Sequence, residues 1–168
     1  MPQLRILTCV TNAGGVGPGH TALWVDNTVY SFERMFSANG WLVQNFSTYV
    51  NNDQNKNRPV IAQTLNSRVN AQTVLNSLRA EADEWFEQYS GSNVCSMRAS
   101  ANLDTGASAG FDPRGYDTPY GVYWHAWNKE YVGSERCVWQ TRSSDYDSKR
   151  TKLYSDYQFD IDSVGWSW

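Results

Sequence analysis

The sequence predicts an α+β domain in which a central antiparallel sheet packs against helices, one of them bearing a cysteine. Three observations predict this class. Segments 4–10 and 59–65 are rich in apolar and β-branched residues, as buried strands are, and residues 20–33 have the pattern of a β-hairpin. Residues 70–89 repeat apolar side chains every three or four positions, which indicates an amphipathic helix. The length suits one domain, so we predict a single domain over residues 1–168.

Composition and charge exclude several classes of protein. The chain has 14 Lys and Arg against 17 Asp and Glu, so it lacks the basic excess that nucleic-acid binding needs. Its aromatic fraction of 14% argues against a disordered chain. No apolar run is long enough to cross a bilayer, and the first residues lack the pattern of a secretory signal peptide. We therefore expect synthesis in the cytoplasm, with neither nucleic acid nor a membrane as a partner.

Cysteine and histidine are scarce, with 3 Cys and 2 His in the chain. An odd number of cysteines makes a disulfide framework improbable. Cys9 and Cys137 lie in apolar, strand-like stretches and are expected in the core. No two of these residues have the spacing of metal ligands, so we predict no metal and no cofactor. Cys95, His20 and His125 remain as candidates for chemistry.

His20 opens the first strand of the predicted hairpin. Residues 20–25 form that strand, Asp26-Asn27 is the turn signal, and residues 28–33 form the return strand. The glycine-rich segment 11–19 precedes the hairpin and is either a flexible lip beside a site or a plain connecting loop. A histidine at a strand edge has a rigid mount with open space beside it, which suits a general base. A structural histidine is the alternative.

Ser31 and Glu33 on the return strand are candidates for the third member of a catalytic triad. Alternate residues of a strand share one face, so these two point the same way and Phe32 points the other way. Either side chain could accept a hydrogen bond from the far nitrogen of His20 and so fix its tautomer. The sequence does not choose between them, and a Cys–His dyad without a third residue also fits the pattern.

Cys95 lies where a second, shorter helix is expected, over about residues 95–103. The preceding helix has Asn70 as its N-cap and stops at Ser90-Gly91-Ser92. A thiol at a helix start lies beside unpaired backbone N–H groups and the positive end of the helix dipole, both of which favour the thiolate. The same N–H groups could stabilise an oxyanion. One interpretation of Cys95 is therefore a nucleophile, and the other is a buried structural cysteine.

The rest of the chain carries weaker signals. Residues 34–58 look irregular and polar, with an exposed loop at 51–57. Residues 106–121 have the glycines and prolines of a loop, and residues 120–141 carry aromatic side chains that are typical of strands. The polar tail at 143–168 has no clear assignment.

The aromatic side chains of the 120–141 segment allow two interpretations. They could line a groove for a glycan-peptide or a protein partner, or they could form a buried aromatic core. Surrounded by aromatics, His125 suits a structural or substrate-contacting role better than that of the base. The candidate substrate-binding side chains are Trp124, His125 and Trp127.

Two motifs, in their order along the chain, resemble a known family. The hairpin from Gly19-His20-Thr21-Ala22-Leu23-Trp24-Val25 to Phe32 resembles the His-bearing hairpin of circularly permuted NlpC/P60-type, papain-like hydrolases. In that group the hairpin precedes the Cys-bearing helix. The stretch from Arg58-Pro59-Val60-Ile61 to Asn93-Val94-Cys95-Ser96 follows the same pattern of strand, helix, polar turn and Cys at a helix start. The resemblance covers about residues 4–103.

The resemblance implies a papain-like fold and cysteine-dependent cleavage of an amide bond. Cys95 would be the nucleophile and His20 the base, with Ser31 or Glu33 as the third member. Relatives of this type include cell-wall peptidases and amidases, isopeptidases of the deubiquitinase type and lipid acyltransferases; the lipid enzymes commonly carry an apolar anchor, for which this sequence offers no candidate. One departure from the pattern is Val94, because the family often has Asn directly before the Cys.

The expected function is that of an antibacterial toxin that cleaves peptidoglycan peptides. By analogy with the family, a small catalytic domain without a signal peptide suits export by a type VI secretion machine into the periplasm of a target cell. Such a toxin would have a cognate immunity protein as its partner. Two alternatives stay open: an isopeptidase acting on ubiquitin-like tags, and a non-catalytic, aromatic-rich binding module.

Overall fold

An antiparallel sheet forms the centre of the structure, a computed structural model. The residues it describes are 1–10, 19–34, 39–56, 58–83, 94–112, 118–138 and 146–159. Within these ranges the chain forms six strands: β1 Leu4–Cys9, β2 His20–Val25, β3 Thr28–Phe32, β4 Trp41–Asn45, β5 Val60–Leu65 and β6 Val132–Val138. They lie in the order β4-β3-β2-β1-β5-β6, and every neighbouring pair is antiparallel.

Helices cover both faces of this sheet. The described part of the chain has five: α1 Phe46–Asn51, α2 Ala71–Asp83, α3 Cys95–Gly106, α4 Pro119–Asn128 and α5 Tyr146–Tyr157. Apolar side chains of α2, α3 and α4 pack in one cluster against one face of the sheet. Those of α1 pack in a second cluster against the other face. The predicted α+β class with a central antiparallel sheet is therefore confirmed.

The hairpin that carries the site is formed as predicted. β2 and β3 pair in antiparallel register, with Leu23 opposite Tyr30, and the turn lies at Asp26-Asn27. Every residue of β2 is buried, because alternate side chains enter the two clusters. Leu23 faces the helices α2 to α4, and Trp24 faces α1. The strands predicted at 4–10 and 59–65 are β1 and β5. In the sheet, β1 lies between β2 and β5.

The two predicted helices are present. Asn70 caps α2, since its side-chain oxygen accepts the N–H of Thr73 at 3.0 Å. The buried side chains of α2 recur at the predicted spacing: Val74, Leu75 and Leu78. The second half of the predicted helix, from 84 to 89, lies outside the described residues. The shorter helix, α3, begins at Cys95 as expected and continues to Gly106.

The prediction of irregular structure over 34–58 is wrong, because β4 and α1 lie there. β4 is an edge strand that buries only Trp41, so its own sequence has a weak apolar pattern and β3 supplies its hydrogen bonds. Asn45 has the composition of a loop residue but acts as the N-cap of α1, accepting the N–H of Thr48 at 2.8 Å. The polar residue Asn45 is thus the signal for the start of α1.

The strand prediction for 120–141 is wrong in its first half, where α4 lies. Thr118 caps this helix by accepting the N–H of Gly121 at 3.2 Å, and Pro119 follows in the first turn, where proline is tolerated. Its buried side chains recur at helical spacing: Val122, Tyr123 and Ala126. β6 confirms the strand over 132–138. Of the predicted loop at 106–121, residues 113–117 lie outside the described part, and its last residues belong to α4.

The polar tail contains one helix, α5, in its described part. Its pattern of apolar residues is weak, but Leu153 and Tyr157 are buried against Tyr123 of α4 and Cys137 of β6. This third cluster is why α5 forms where the sequence has no strong signal. The end of the tail and most of the glycine-rich segment, 160–168 and 11–18, lie outside the described residues.

A partly buried carboxylate on α2 fixes the orientation of the cysteine-bearing helix. Glu81 is 15% exposed and pairs with the guanidinium of Arg98 on α3. Its other oxygen accepts the side-chain N–H groups of Asn102 at 3.2 Å and of Trp41 at 3.1 Å. One side chain thus ties together α2, α3 and the edge strand β4. Charge-assisted hydrogen bonds of this kind are stronger than neutral ones and hold a fixed geometry.

We expect Glu81→Gln to destabilise the fold by about 2–3 kcal/mol, because one carboxylate oxygen becomes an N–H donor that faces other donors. Urea unfolding followed by circular dichroism measures this change. Glu130→Gln is the matched control, since Glu130 is 84% exposed and pairs with Arg68 at the surface. It should cost less than about 1 kcal/mol. Equal losses in the two variants would contradict the role given to Glu81.

Candidate active site

His20 is held in place by the glycine that precedes it. Gly19 has a φ of +84°, which L side chains rarely adopt. A Cβ atom at this position would lie 2.0 Å from the carbonyl oxygen of Cys9. The backbone of β1 therefore passes so close to the start of β2 that only glycine fits. This close approach sets His20 directly opposite Cys9 in the β1–β2 register.

Cys95 lies at the N-terminus of α3, where the backbone offers hydrogen-bond donors. The N-cap residue, Val94, makes no side-chain capping bond, and the first turn contains no acidic residue. The first N–H groups of the helix therefore have no capping side chain as an acceptor. The sulfur of Cys95, the first residue of the helix, interacts with the backbone N–H of Ser96 and with that of Thr21 in β2. The thiol is 5% exposed, so these bonds form away from bulk water.

The structure brings His20, Ser31 and Glu33 together in one chain of hydrogen bonds. The His20 Nε2 atom lies 2.6 Å from the Ser31 hydroxyl, which donates to Glu33 Oε2 at 2.5 Å. The same carboxylate oxygen lies 3.1 Å from Nε2. The His20 side chain also lies close enough to Cys95 for the two side chains to interact electrostatically. Because Nε2 faces Ser31 and Glu33, Nδ1 is the nitrogen left to face the thiol.

The electrostatics of the site favour an imidazolium and a thiolate. Burial alone would lower the pKa of His20, but the sulfur of Cys95 and the carboxylate of Glu33 outweigh it and raise this pKa to about 10. Burial would raise the pKa of Cys95, but His20 and the two backbone N–H groups lower it below the ordinary thiol value. Burial likewise opposes ionisation of Glu33, while His20, Ser31 and Arg58 hold its pKa below the ordinary carboxyl value.

A buried polar cluster supports the site from behind, and the sequence did not predict it. Arg58 is 5% exposed, and its Nε and Nη2 atoms donate to Asn55 Oδ1 at 3.0 and 2.6 Å. The same oxygen accepts the thiol hydrogen of Cys9 at 3.7 Å, and Cys9 also contacts the Tyr49 hydroxyl at 3.6 Å. The expected exposed loop at 51–57 is confirmed for most of its described residues, but Asn55 within it is buried, and residue 57 lies outside the described part.

The cluster could not have been found from local signals. Asn55 lies in a run of polar residues that is typical of a surface turn, and Arg58 has no charged partner near it in sequence. Only the pairing of β1 with β5 and the packing of α1 on the sheet bring these side chains beside Cys9. Cys9 and Cys137 are buried, as expected of core cysteines, and all three cysteines of the chain are free.

The three candidate substrate-binding residues lie on α4 rather than on a strand. Trp124 donates its indole N–H to the backbone carbonyl of Asp156 at 2.9 Å. Trp127 donates to the Glu135 carboxylate at 3.0 Å. His125 packs edge-on against the ring of Phe111, with ring centres 4.5 Å apart, and burial holds its pKa below the ordinary value. These contacts favour a structural role, and substrate binding by these residues stays a prediction.

Among the described residues, no three His, Cys, Asp or Glu side chains come together as a metal site requires. No helix in the described part of the chain is long and apolar enough to cross a membrane.

We expect Gly19→Ala to destabilise the protein by more than Gly110→Ala does. Both glycines have positive φ, but a Cβ at Gly110 would meet only the Asp104 carboxylate at 3.4 Å. Gly110→Ala should therefore show the conformational cost alone, about 1 kcal/mol. Gly19→Ala adds a collision with the backbone of β1 and should displace His20. Urea unfolding of both variants checks the difference, and equal costs would contradict the close approach described above.

The alkylation rate of Cys95 should follow a titration whose midpoint lies below the ordinary thiol pKa, because only the thiolate reacts and His20 stabilises it. In His20→Ala the midpoint should move upward, since burial then acts without the opposing cation. Mass spectrometry of iodoacetamide adducts at a series of pH values measures each cysteine separately. Cys137 is the internal control, because burial raises its pKa to about 12. A Cys95 midpoint at or above the ordinary value would contradict the ion pair.

Comparisons with known proteins found no relative of this chain. No family model matches the chain, and it has no match among curated proteins or among solved structures.

Proposed function

We propose that the chain is a papain-like cysteine hydrolase that cleaves an amide bond. The observation that carries the proposal is the hydrogen-bonded chain from His20 through Ser31 to Glu33, together with the interaction of the same imidazole with the Cys95 thiol at the start of α3. A nucleophile, a base and groups that orient the base, all within hydrogen-bonding reach, are what covalent catalysis of acyl transfer needs.

In the first step, the Cys95 thiolate attacks the carbonyl carbon of the amide. A C–S bond forms, and the C=O π electrons move to the oxygen, which becomes negatively charged. The N–H groups at the start of α3, with that of Ser96 first, lie beside the sulfur and suit this developing charge. Val94 makes no side-chain capping bond, so no capping side chain competes for these donors.

His20 then acts as acid and afterwards as base. The imidazolium gives the proton on Nδ1 to the amide nitrogen, the C–N bond breaks, and the amine leaves a thioester on Cys95. Water next gives a proton to Nδ1 as its oxygen attacks the thioester carbonyl. The C–S bond breaks, the acid product departs, and the thiolate and imidazolium are restored.

The geometry supports Ser31 and Glu33 acting in series rather than as alternatives. Ser31 accepts a hydrogen bond from Nε2–H of His20 and donates its own proton to Glu33. The carboxylate also lies close enough to Nε2 to attract the imidazolium directly. Both interactions place the ring proton on Nε2 and turn Nδ1 toward the thiol, as the third residue of a triad does.

The substrate class and the biology come from the resemblance to permuted NlpC/P60-type hydrolases. The His-bearing hairpin precedes the Cys-bearing helix here, which is the order of that group. We therefore propose peptidoglycan peptides as the substrate and an antibacterial toxin as the role, with type VI secretion as the route to a target periplasm. A cognate immunity protein would be the natural partner in the producing cell.

Cys95→Ala and His20→Ala should each reduce hydrolysis of purified peptidoglycan by at least about a thousandfold, because each removes a member of the catalytic unit. Cys137→Ala is the matched control and should keep its activity, since that thiol is buried in another cluster. Glu33→Gln should cost less than either, because the dyad itself remains. Mass spectrometry of the released peptides gives the rates and identifies the bond that is cut.

A parallel digestion of a ubiquitin-like fusion protein separates the remaining candidates. Cleavage of the fusion alone would replace peptidoglycan with an isopeptide substrate while keeping the mechanism. Hydrolysis that survives in Cys95→Ala would contradict the mechanism itself. No cleavage of either substrate, together with an ordinary alkylation midpoint for Cys95, would identify a binding module instead.

A further inference from the structure

Two aromatic rings and an arginine stack on the face of the sheet that carries α1. Trp24 of β2 is parallel to the ring of Phe46, with the ring centres 3.8 Å apart and the planes 7° apart. The guanidinium carbon of Arg5, on β1, lies 3.9 Å from the centre of the indole. A flat ring has two faces, so Phe46 and Arg5 occupy opposite sides of Trp24.

A second cation lies close to the ring of Trp24. The guanidinium carbon of Arg136, on β6, lies 5.4 Å from the centre of the same ring. The close stacking of Phe46 leaves Arg136 the side of Arg5 or the ring edge. Two like charges therefore converge on one side chain, and burial together with Arg136 lowers the pKa of Arg5. Attraction to the face of the indole offsets part of this repulsion.

The described residues supply this stack with no acceptor. The indole Nε1 of Trp24 is buried and has no hydrogen-bond partner among them, and Trp24 is 6% exposed. Among the described residues, neither Arg5 nor Arg136 is ion-paired with a carboxylate. Asp26 acts on Arg5 only at longer range, and its Oδ1 already accepts the backbone N–H of Gln3 at 2.9 Å.

We propose that Arg5, Arg136 and Trp24 form a binding site for an oxyanion, either a carboxylate or a phosphate group. Two planar guanidinium groups offer paired N–H donors that match the oxygens of these anions. A bound anion would relieve the repulsion between the two cations and accept hydrogen bonds from their guanidinium N–H groups. Trp24 is four residues along β2 from His20, about 13 Å at the rise of a strand, so the site is separate from Cys95.

Another stacked arginine of the same chain shows what is missing. Arg68 lies over the ring of Tyr131, with its guanidinium carbon 5.5 Å from the ring centre. Its Nη1 atom is paired with Glu130 at 3.0 Å, so the cation has an anion from within the chain. The pair on Trp24 has two cations and no such partner in the described residues. The comparison supports an anion that comes from a ligand.

The test measures the thermal unfolding midpoint in millimolar inorganic phosphate, in glutarate and in chloride at equal ionic strength. A ligand that binds only the folded state raises this midpoint. Phosphate or glutarate, or both, should raise it for the unaltered chain and for the control Arg68→Gln. In Arg5→Gln and Arg136→Gln the apparent affinity should fall by about tenfold or more. Whichever anion gives the larger rise identifies a phosphate or a carboxylate ligand.

A second measurement needs no folded arginine variant. In an NMR titration, the indole N–H signal of Trp24, assigned with Trp24→Phe, should shift saturably with the preferred anion and stay unchanged with chloride. The proposal is overturned if neither anion gives a saturable shift. It is also overturned if the thermal stabilisation is the same in Arg136→Gln as in Arg68→Gln. Neither result depends on the activity of Cys95, so the proposed hydrolase can fail while this site stands.

Discussion

The structure depends on one meeting point, where the start of α3 faces the start of β2. The first turn of α3 has neither a side-chain cap nor an acidic residue, so its N–H groups favour a negative charge placed beside them. The sulfur of Cys95 meets that need and also accepts the N–H of Thr21. Glu81 orients α3 through its contact with Arg98. At Gly19 the backbone of β1 passes close to the start of β2 and fixes its position. Each of the two elements is thus also held by contacts outside the site.

The charged groups buried at this point alternate in sign from one neighbour to the next, and this offsets part of the free-energy cost of burying them. The thiolate of Cys95 lies beside the imidazolium of His20, which lies beside the carboxylate of Glu33, on which the cation of Arg58 acts. Removing a charge from water is costly, and each neighbour of opposite sign offsets part of that cost. Perturbed pKa values in such a set are typical of functional sites, although structural ion pairs also produce them.

The sheet has different surroundings on its two faces, and the two polar regions follow from this. α2, α3 and α4 cover one face with a large apolar cluster, and the ion pair of Glu81 with Arg98 lies between α2 and α3 on that side. The face that carries α1 bears the support for the candidate site, where Asn55 and Arg58 lie beside Cys9. Farther along β2 the same face bears Trp24 with its arginines. Proposed chemistry and proposed anion binding therefore share one strand without sharing residues.

The sequence by itself determined the elements whose signals are local. Asp26-Asn27 marked the hairpin, apolar spacing marked α2, and the position of Cys95 marked the start of α3. Tertiary structure alone decided the edge strand β4, the helix α5 and the cluster around Arg58, because each depends on partners distant in the chain. It also decided that Ser31 and Glu33 act together on one imidazole. Periodicity records which face of an element is buried, whereas hydrogen bonds between elements exist only once the chain has folded.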